Sequence, residues 1–229
     1  MHKTRSPEHI GSLLHEPSSP LWVKHFANLY HQPVGDVAAF VLAGGKSRRM
    51  GKDKAFLDLG GRTLLSRALE LAESLTETVA IVGNGSNFFP LGRVIDDIYP
   101  GQGPLAGIHA ALTASDSALN LMLALDIPFI ETDFLRYLLS EASRSSAVVT
   151  VPKTKDHWHP LCAVYRREFA ITADEALRRG KNKIDPLFAK VETRVINQDE
   201  MRRLNFFDSM LRNLNTPEDW KIAEQEIAR

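Results

Sequence analysis

The stretch Val41-Leu42-Ala43-Gly44-Gly45-Lys46-Ser47-Arg48-Arg49-Met50-Gly51-Lys52-Asp53-Lys54 couples an apolar run to a glycine-rich, cationic turn. Lys46, Arg48, Arg49, Lys52 and Lys54 put five cations within nine residues, opposed only by Asp53. Gly44 and Gly45 permit backbone angles that a side chain forbids, so amide N–H groups there can converge on one anion. Such a turn suits phosphate; a solvated basic loop after a strand is the plain alternative. Two familiar phosphate loops are excluded by spacing. A P-loop has four residues between its glycines and a Ser or Thr after its lysine, whereas Gly45 and Gly51 have five between them and Asp53 follows Lys52. The nearest approach to a dinucleotide fingerprint, Gly101-Gln102-Gly103-Pro104-Leu105-Ala106-Gly107, has the wrong last spacing and does not follow a first strand.

Asp126 is the strongest acidic candidate. The run Asn120 to Leu125 reads as a buried strand that delivers it to a carboxyl end, with Pro128 stopping the strand just beyond. A carboxylate leaving the core is costly unless something cationic receives it. Magnesium is the natural candidate, because it takes one or two carboxylates and fills its remaining positions with phosphate oxygens and water. Helix capping is the competing role for Asp126, but Thr132 and Asp133 are better placed to start the helix containing Phe134, Leu135, Leu138 and Leu139.

Other segments carry weaker chemical signals. Gly101 to Ile108 opens a helix whose amino terminus favours a negative group, although the same glycines suit a tight strand-to-helix connection. Gly180-Lys181-Asn182-Lys183 is a cationic loop that suits a second phosphate or a solvated helix end. In Asn213-Leu214-Asn215-Thr216-Pro217-Glu218-Asp219, Asn215 or Thr216 caps a last helix. His159 reads as a structural or substrate-edge histidine, and Cys162, within an apolar run, as a buried thiol.

These residues need a scaffold, and the apolar pattern supplies one. Val37 to Leu42, Thr78 to Val82 and Arg93 to Ile95 read as strands, as do Ala147 to Val151 and Leu161 to Tyr165, the last two joined by the polar turn Lys153 to Pro160. Ala55 to Gly61 reads as a short extended segment ending in a turn. Thr63 caps a helix with Leu64, Leu65, Ala68, Leu69, Ala72 and Leu75 on one stripe, and another helix runs from about Glu168 to Arg179. Strand, helix, strand in this rhythm predicts a parallel sheet with helices on its faces, whose ligands sit at strand carboxyl ends. The basic loop, Asn84, Asp97 and Asp126 all follow apolar runs, so one crevice can gather them.

Composition narrows the partners. Lys+Arg and Asp+Glu both number 28 in 229 residues, so no global field recruits nucleic acid or an anionic membrane, and any anion site is local. A single cysteine excludes an internal disulfide, and without a transmembrane-length apolar run the cytoplasm is the expected compartment. Residues 1–36 carry scattered histidines and prolines, lack the long apolar core of a signal peptide, and read as an amino-terminal extension to a domain spanning 37–229.

Leu42-Ala43-Gly44-Gly45-Lys46-Ser47-Arg48-Arg49-Met50-Gly51, with Asp53-Lys54 behind it, resembles the signature of Rossmann-like nucleotidyltransferases, and among them the molybdenum cofactor guanylyltransferases. The likeness runs from about Val37 to the carboxyl terminus. It implies an α/β three-layer sandwich with a mostly parallel sheet, of the nucleotide-diphospho-sugar transferase type. The implied reaction transfers GMP from magnesium GTP to the terminal phosphate of molybdopterin or molybdenum-molybdopterin, releasing pyrophosphate. Carried over residue by residue, Leu42, Ala43, Gly44, Lys54, Asn84, Asp97 and Asp126 meet the nucleotide; Arg49, Lys54 and Asp126 serve catalysis, with Mg2+ on Asp126. Gly103, Gly107, Lys183, Asn213 and Asn215 face the pterin. Other molybdenum cofactor biosynthesis proteins and apo-molybdoenzymes are the implied protein partners. Three features depart from the family: the extension before Val37 is longer than the motif needs, Gly83-Asn84-Gly85 leaves open whether Gly83 or Asn84 contacts the nucleotide, and Lys181 and Lys183 stand where arginines are expected. A cytidylyltransferase acting on molybdopterin and a sugar-phosphate nucleotidyltransferase are the neighbouring alternatives. A non-catalytic GTP-binding adaptor is the alternative of another class.

Overall fold

Val37–Leu42 forms β1, whose first five residues are buried, as a strand covered on both faces requires. The computed structural model describes residues 36–44, 53–83, 88–155 and 157–227, all within one unit, Pro33–Arg229. Beside β1 stand β2 (Thr78–Val82), β3 (Val94–Ile95), β4 (Leu119–Ala124), β5 (Val149–Thr154), β6 (His157–Trp158), β7 (Cys162–Tyr165) and β8 (Thr193–Asn197). They make one sheet in the order β3-β2-β1-β4-β7-β5-β6, with β8 against β5. β1 pairs in parallel with β2 and β4, and β2 with β3. β7 then runs antiparallel to both β4 and β5, while β8 returns parallel to β5. The sheet is therefore mixed, with a parallel core.

The helices are α1 (Leu64–Glu73), α2 (Pro104–Ala114), α3 (Thr132–Arg144), α4 (Phe169–Arg178), α5 (Gln198–Arg203) and α6 (Pro217–Ile227). Side chains alternate across a strand, and both faces of the central strands are apolar. Ala38, Phe40, Ala80, Val82 and Met122 join Leu105, Ile108 and Leu112 of α2 and Phe169, Ala173 and Leu177 of α4 in one core. On the other face Leu123 and Leu125 meet Leu64, Ala68 and Leu71 of α1. Helix, sheet and helix thus form the three layers expected. Thr63 caps α1 by accepting from the Ser66 amide at 3.1 Å.

Several local expectations need correcting. Lys54–Phe56 is a 3₁₀ turn rather than extended chain, because the Asp53 carboxylate accepts from the Ala55 amide at 3.1 Å and closes the first turn. β5 starts two residues later than expected and continues through Pro152 to Thr154. Proline is tolerated there because its carbonyl is the group used, accepting from His159 N at 3.0 Å. The polar turn after β5 contains β6, paired with Lys153 and Thr154. Helix α3 does begin at Thr132, but Glu131 is its cap position and provides no side-chain cap. The sequence pattern does not announce β8 or α5; Thr193–Asn197 is only partly apolar because just Ile196 is fully buried.

Asn120 is a fully buried polar residue in the centre of the sheet. Its amide donates to Ser117 O at 3.2 Å and Tyr165 O at 3.1 Å, and its oxygen accepts a short bond from Ser115 Oγ. Removing it takes a hydrogen-bond partner from each of those groups. Asn120→Ala should cost about 1–3 kcal/mol in urea unfolding, with an unchanged m-value; an unchanged midpoint would contradict this role for the amide.

Candidate active site

The strand register decides which residues meet. Leu42 is level with Val82 on one side and Ala124 on the other, and Val82 with Ile95. Two residues beyond that row stand Gly44, Asp126 and Asp97, at the carboxyl ends where the parallel order changes direction. An open cavity of about 220 Å³ lies over this row. Its walls include Leu42, Ala43, Gly44, Lys54, Asp97, Gly103, Gly107, Asp126 and Asn215. Nine residues singled out in the sequence are therefore brought together from six separate stretches of chain.

Asp126 is met by a cation from the protein itself. Lys54 Nζ lies 3.3 Å from Asp126 Oδ2 and donates to Asn215 Oδ1, also at 3.3 Å. Both partners of the ion pair are partly buried, at 17% and 26% side-chain exposure, so the charge is only moderately screened. The 3₁₀ turn capped by Asp53 sets the start of this lysine's reach. Asp53 itself lines the cavity, a placement its role as the sole acid in a basic loop does not reveal. Leu161, just before β7, is likewise a wall residue that the sequence does not mark. It holds the neighbouring strand end, where its carbonyl accepts from Ala124 N at 2.8 Å.

Asp97 is differently placed. Burial, and then the neighbouring Asp96, push its carboxyl above the usual range. Its Oδ1 lies 3.7 Å from where a Cβ on Gly107 would stand. Gly107 in turn faces Leu42 and Val82, whose side-chain atoms would be 3.4 and 3.5 Å from that Cβ. A glycine in this helix therefore keeps the cavity floor low. Gly103 has another reason to be glycine: it takes φ 78° as it turns the chain into α2, and Pro104 then occupies the first helical position.

Gly44 does not offer the free amide expected of it. Ala43 N and Gly44 N both donate to Val82 O, at 2.9 and 3.1 Å. The close approach here is made by Gly83 rather than Gly44: a Cβ on Gly83 would come 3.1 Å from Gly44 N, whereas one on Gly44 would meet nothing nearer than 3.5 Å. Gly45 to Lys52, with Arg49, lie outside the described residues, as does Asn84. Asn213 and Lys183 are exposed and are not among the residues lining the cavity. Asn213 precedes Leu214, whose amide is the one that reaches inward, and Lys183 precedes the buried Ile184.

The carboxyl-terminal segment enters the site through its backbone. Leu214 N donates to Asp126 O at 2.8 Å. Thr216 caps α6 by accepting from Asp219 N at 3.1 Å, while Asp219 Oδ2 accepts from Thr216 N at 2.9 Å and Asn215 N at 3.0 Å. This reciprocal box holds Asn215 in place. His159 bonds Thr154 Oγ1 through Nε2 at 2.7 Å, and burial lowers its pKa, so it is a packed neutral ring. Burial likewise pushes the Cys162 thiol up, which leaves it inert.

Residues 39–194 match the family model described as "MobA-like NTP transferase domain". The chain is 36% identical to a probable molybdenum cofactor guanylyltransferase from Pelotomaculum thermopropionicum, over 78% of this chain and 87% of that protein. It is 31% identical to a molybdenum cofactor guanylyltransferase from Desulfosudis oleivorans, over 83% and 96%. Among solved structures it is similar to molybdopterin-guanine dinucleotide biosynthesis protein A from Archaeoglobus fulgidus, with a TM-score of 0.74, 27% identity, and coverage of 83% and 98%.

Gly107→Ala separates stability from ligand capacity. A helical alanine gains up to about 1 kcal/mol over glycine, while its methyl group stands on the cavity floor. Thermal unfolding should show a melting temperature no lower than wild type, and calorimetry a weaker affinity for a nucleoside triphosphate. A lower melting temperature with unaltered affinity would refute the assignment of Gly107 to the floor.

Proposed function

The chain belongs to the MobA-like NTP transferase family, and from that footing we propose that it transfers GMP from GTP to the terminal phosphate of molybdopterin. The products are molybdopterin guanine dinucleotide and pyrophosphate. As a nucleotidyltransferase it joins two polyanions, so its task is alignment and charge neutralisation. An oxygen of the acceptor phosphate attacks the α-phosphorus; that bond forms as the bond from the α-phosphorus to the bridging β-oxygen breaks, and pyrophosphate leaves with the electron pair. The attacking monoester has a second pKa of about 6, so it is a dianion near neutral pH. No protein base is required, in keeping with a neutral, hydrogen-bonded His159.

The observation that carries this reading is the Lys54–Asp126 pair at the floor of a cavity that Asp97 and the start of α2 also line. Lys54 offers an ammonium with three donors to the triphosphate, two described side chains, Asp126 and Asn215, lying within hydrogen-bond reach of it. The donor set also fits magnesium. Among the described residues no group of three or more potential ligands stands together, as suits an ion that takes one or two carboxylates and completes its shell with phosphate and water. Asp126 would hold it, with Asp97, whose carboxyl is raised by burial and then by Asp96, as a second contact. When bound, the ion withdraws charge from the phosphate oxygens. On the acceptor side, Gly103, Gly107 and Asn215 line the cavity, with Gly107 also against the nucleotide-side Leu42 and Asp97, while Asn213 and Lys183 would contribute from its approaches. Arg49 and Asn84 complete the proposed nucleotide set. The cytoplasm is the proposed compartment, and apo-molybdoenzymes and other cofactor-biosynthesis proteins are the proposed recipients and suppliers.

The direct test supplies purified protein with magnesium, molybdopterin and GTP labelled at the α-phosphate, and with CTP in parallel. Label should pass from GTP into a pterin dinucleotide with release of pyrophosphate; transfer from CTP alone would overturn the choice of base. Asp126→Ala should abolish turnover, and Lys54→Ala should weaken triphosphate binding and slow transfer by about a hundredfold or more. Wild-type kinetics in either variant would contradict the role of the residue removed.

A further inference from the structure

Asn215 stands on the acceptor-side segment, yet its side chain touches the lysine on the nucleotide side. The Lys54 ammonium only donates hydrogen bonds, so the amide oxygen of Asn215 is the atom that faces it. The contact spans 161 positions in sequence, and both ends are fixed independently of it. Lys54 opens a turn capped by Asp53. Asn215 is held by its own backbone N–H on Asp219, between the Leu214 amide on Asp126 and the Thr216 cap of α6. Backbone bonds from Thr216 and Asn215 hold the Asp219 carboxyl below the usual range, so this anchor stays ionised.

We infer that Asn215 is a positioning residue for Lys54, orienting the ammonium toward the nucleotide phosphates and thereby tying the acceptor-side segment to triphosphate affinity. The inference rests on the reading of this cavity as a triphosphate site. Its physical basis is a difference between the two oxygens that hold Lys54. Asp126 brings a negative charge that cancels the ammonium, and that carboxylate is also the group a divalent cation would engage. Asn215 brings a neutral dipole, which fixes the direction of the ammonium without cancelling it. With Asp126 engaged by a cation, the amide is the described side chain that still restrains Lys54, and the full positive charge is left for phosphate.

The test is equilibrium binding of GTP with magnesium, in the absence of any acceptor, to wild type, Asn215→Ala, Lys54→Ala and the double variant, with Asn215→Asp as a fifth protein. Asn215 is exposed and its backbone bonds do not need the side chain, so Asn215→Ala and Asn215→Asp should share the wild-type melting temperature within a few degrees, and the double variant that of Lys54→Ala. Asn215→Ala should weaken binding about fivefold, and the double variant should bind no more weakly than Lys54→Ala alone. Asn215→Asp keeps an acceptor beside the ammonium but adds a negative charge facing the phosphates, and should bind more weakly than Asn215→Ala. Losses that multiply in the double variant would overturn the inference, because Asn215 would then act independently of Lys54. So would unchanged GTP affinity in Asn215→Ala with a raised KM for molybdopterin, which would make it an acceptor contact only. Absence of GTP binding by the wild type would instead overturn the reading of the cavity, and this inference with it.

Discussion

The site depends on the register of three adjacent parallel strands. A parallel pair has no hairpin to fix its alignment, so the level row Ile95, Val82, Leu42 and Ala124 is set by burial of side chains on both faces. A slip of one residue in β4 would exchange Leu121 and Leu123 for Asn120 and Met122 across the sheet, turning the hydrogen-bonded Asn120 amide toward an apolar helix. The core penalises that heavily. The same register sets the chemistry, because Gly44, Asp97 and Asp126 each follow the row by two residues.

Charge balance distinguishes the two acids of the cavity. Burial makes an isolated carboxylate costly, and the fold answers differently at its two acids. Asp126 is paired with Lys54 at 3.3 Å, whereas Asp97 has Asp96 as its neighbour and its carboxyl is pushed up. Among the described residues, the cavity therefore holds one acid paired with a lysine and one whose carboxyl is raised by burial and a neighbouring carboxylate. Such a surface gains from a ligand that arrives with both signs of charge, as a triphosphate carrying a divalent cation does. A bare cation would compete with Lys54, and a bare polyanion would meet the two carboxylates.

Much of this is legible in the sequence, for identifiable reasons. β1 and β2 can be read to the residue because short β-branched and aliphatic runs end at or near glycines, and the placement of Asp97 and Asp126 follows from strands ending beside them. What the sequence conceals are contacts between distant segments. Nothing in Asn215-Thr216-Pro217-Glu218-Asp219 separates a capping asparagine from one that reaches a lysine, and the structure gives Asn215 the second role while Thr216 does the capping. Gly44 misleads for a related reason: a glycine beside a basic run suggests a free amide, but whether that amide is already bonded depends on β2, which supplies Val82 O. β8 escapes because its alternation, Thr193, Arg194, Val195, Ile196, is blurred by Arg194. That guanidinium pairs with Glu141 and Glu200, so a cation sits in a strand without a hydrophobic cost.

The antiparallel part of the sheet has a purpose that follows from the direction of its strands. If β7 ran parallel to β4, its start would lie at the far edge of the sheet and its end over the site. Because it runs the other way, its first residues lie beside the carboxyl end of β4, where the Leu161 carbonyl takes the Ala124 amide. β5 reverses again and brings Lys153 and Thr154 to that same edge, with Trp158 of β6 under the Lys153 ammonium at 4.7 Å. The chain thus extends the edge that carries the cavity sideways, from the parallel strands to antiparallel ones, without lengthening the parallel core. The segment leading into α6 closes the other side of the acid row through Leu214 and Asn215. Lys54, from the first half of the chain, is consequently met by Asp126 and Asn215, both from the second.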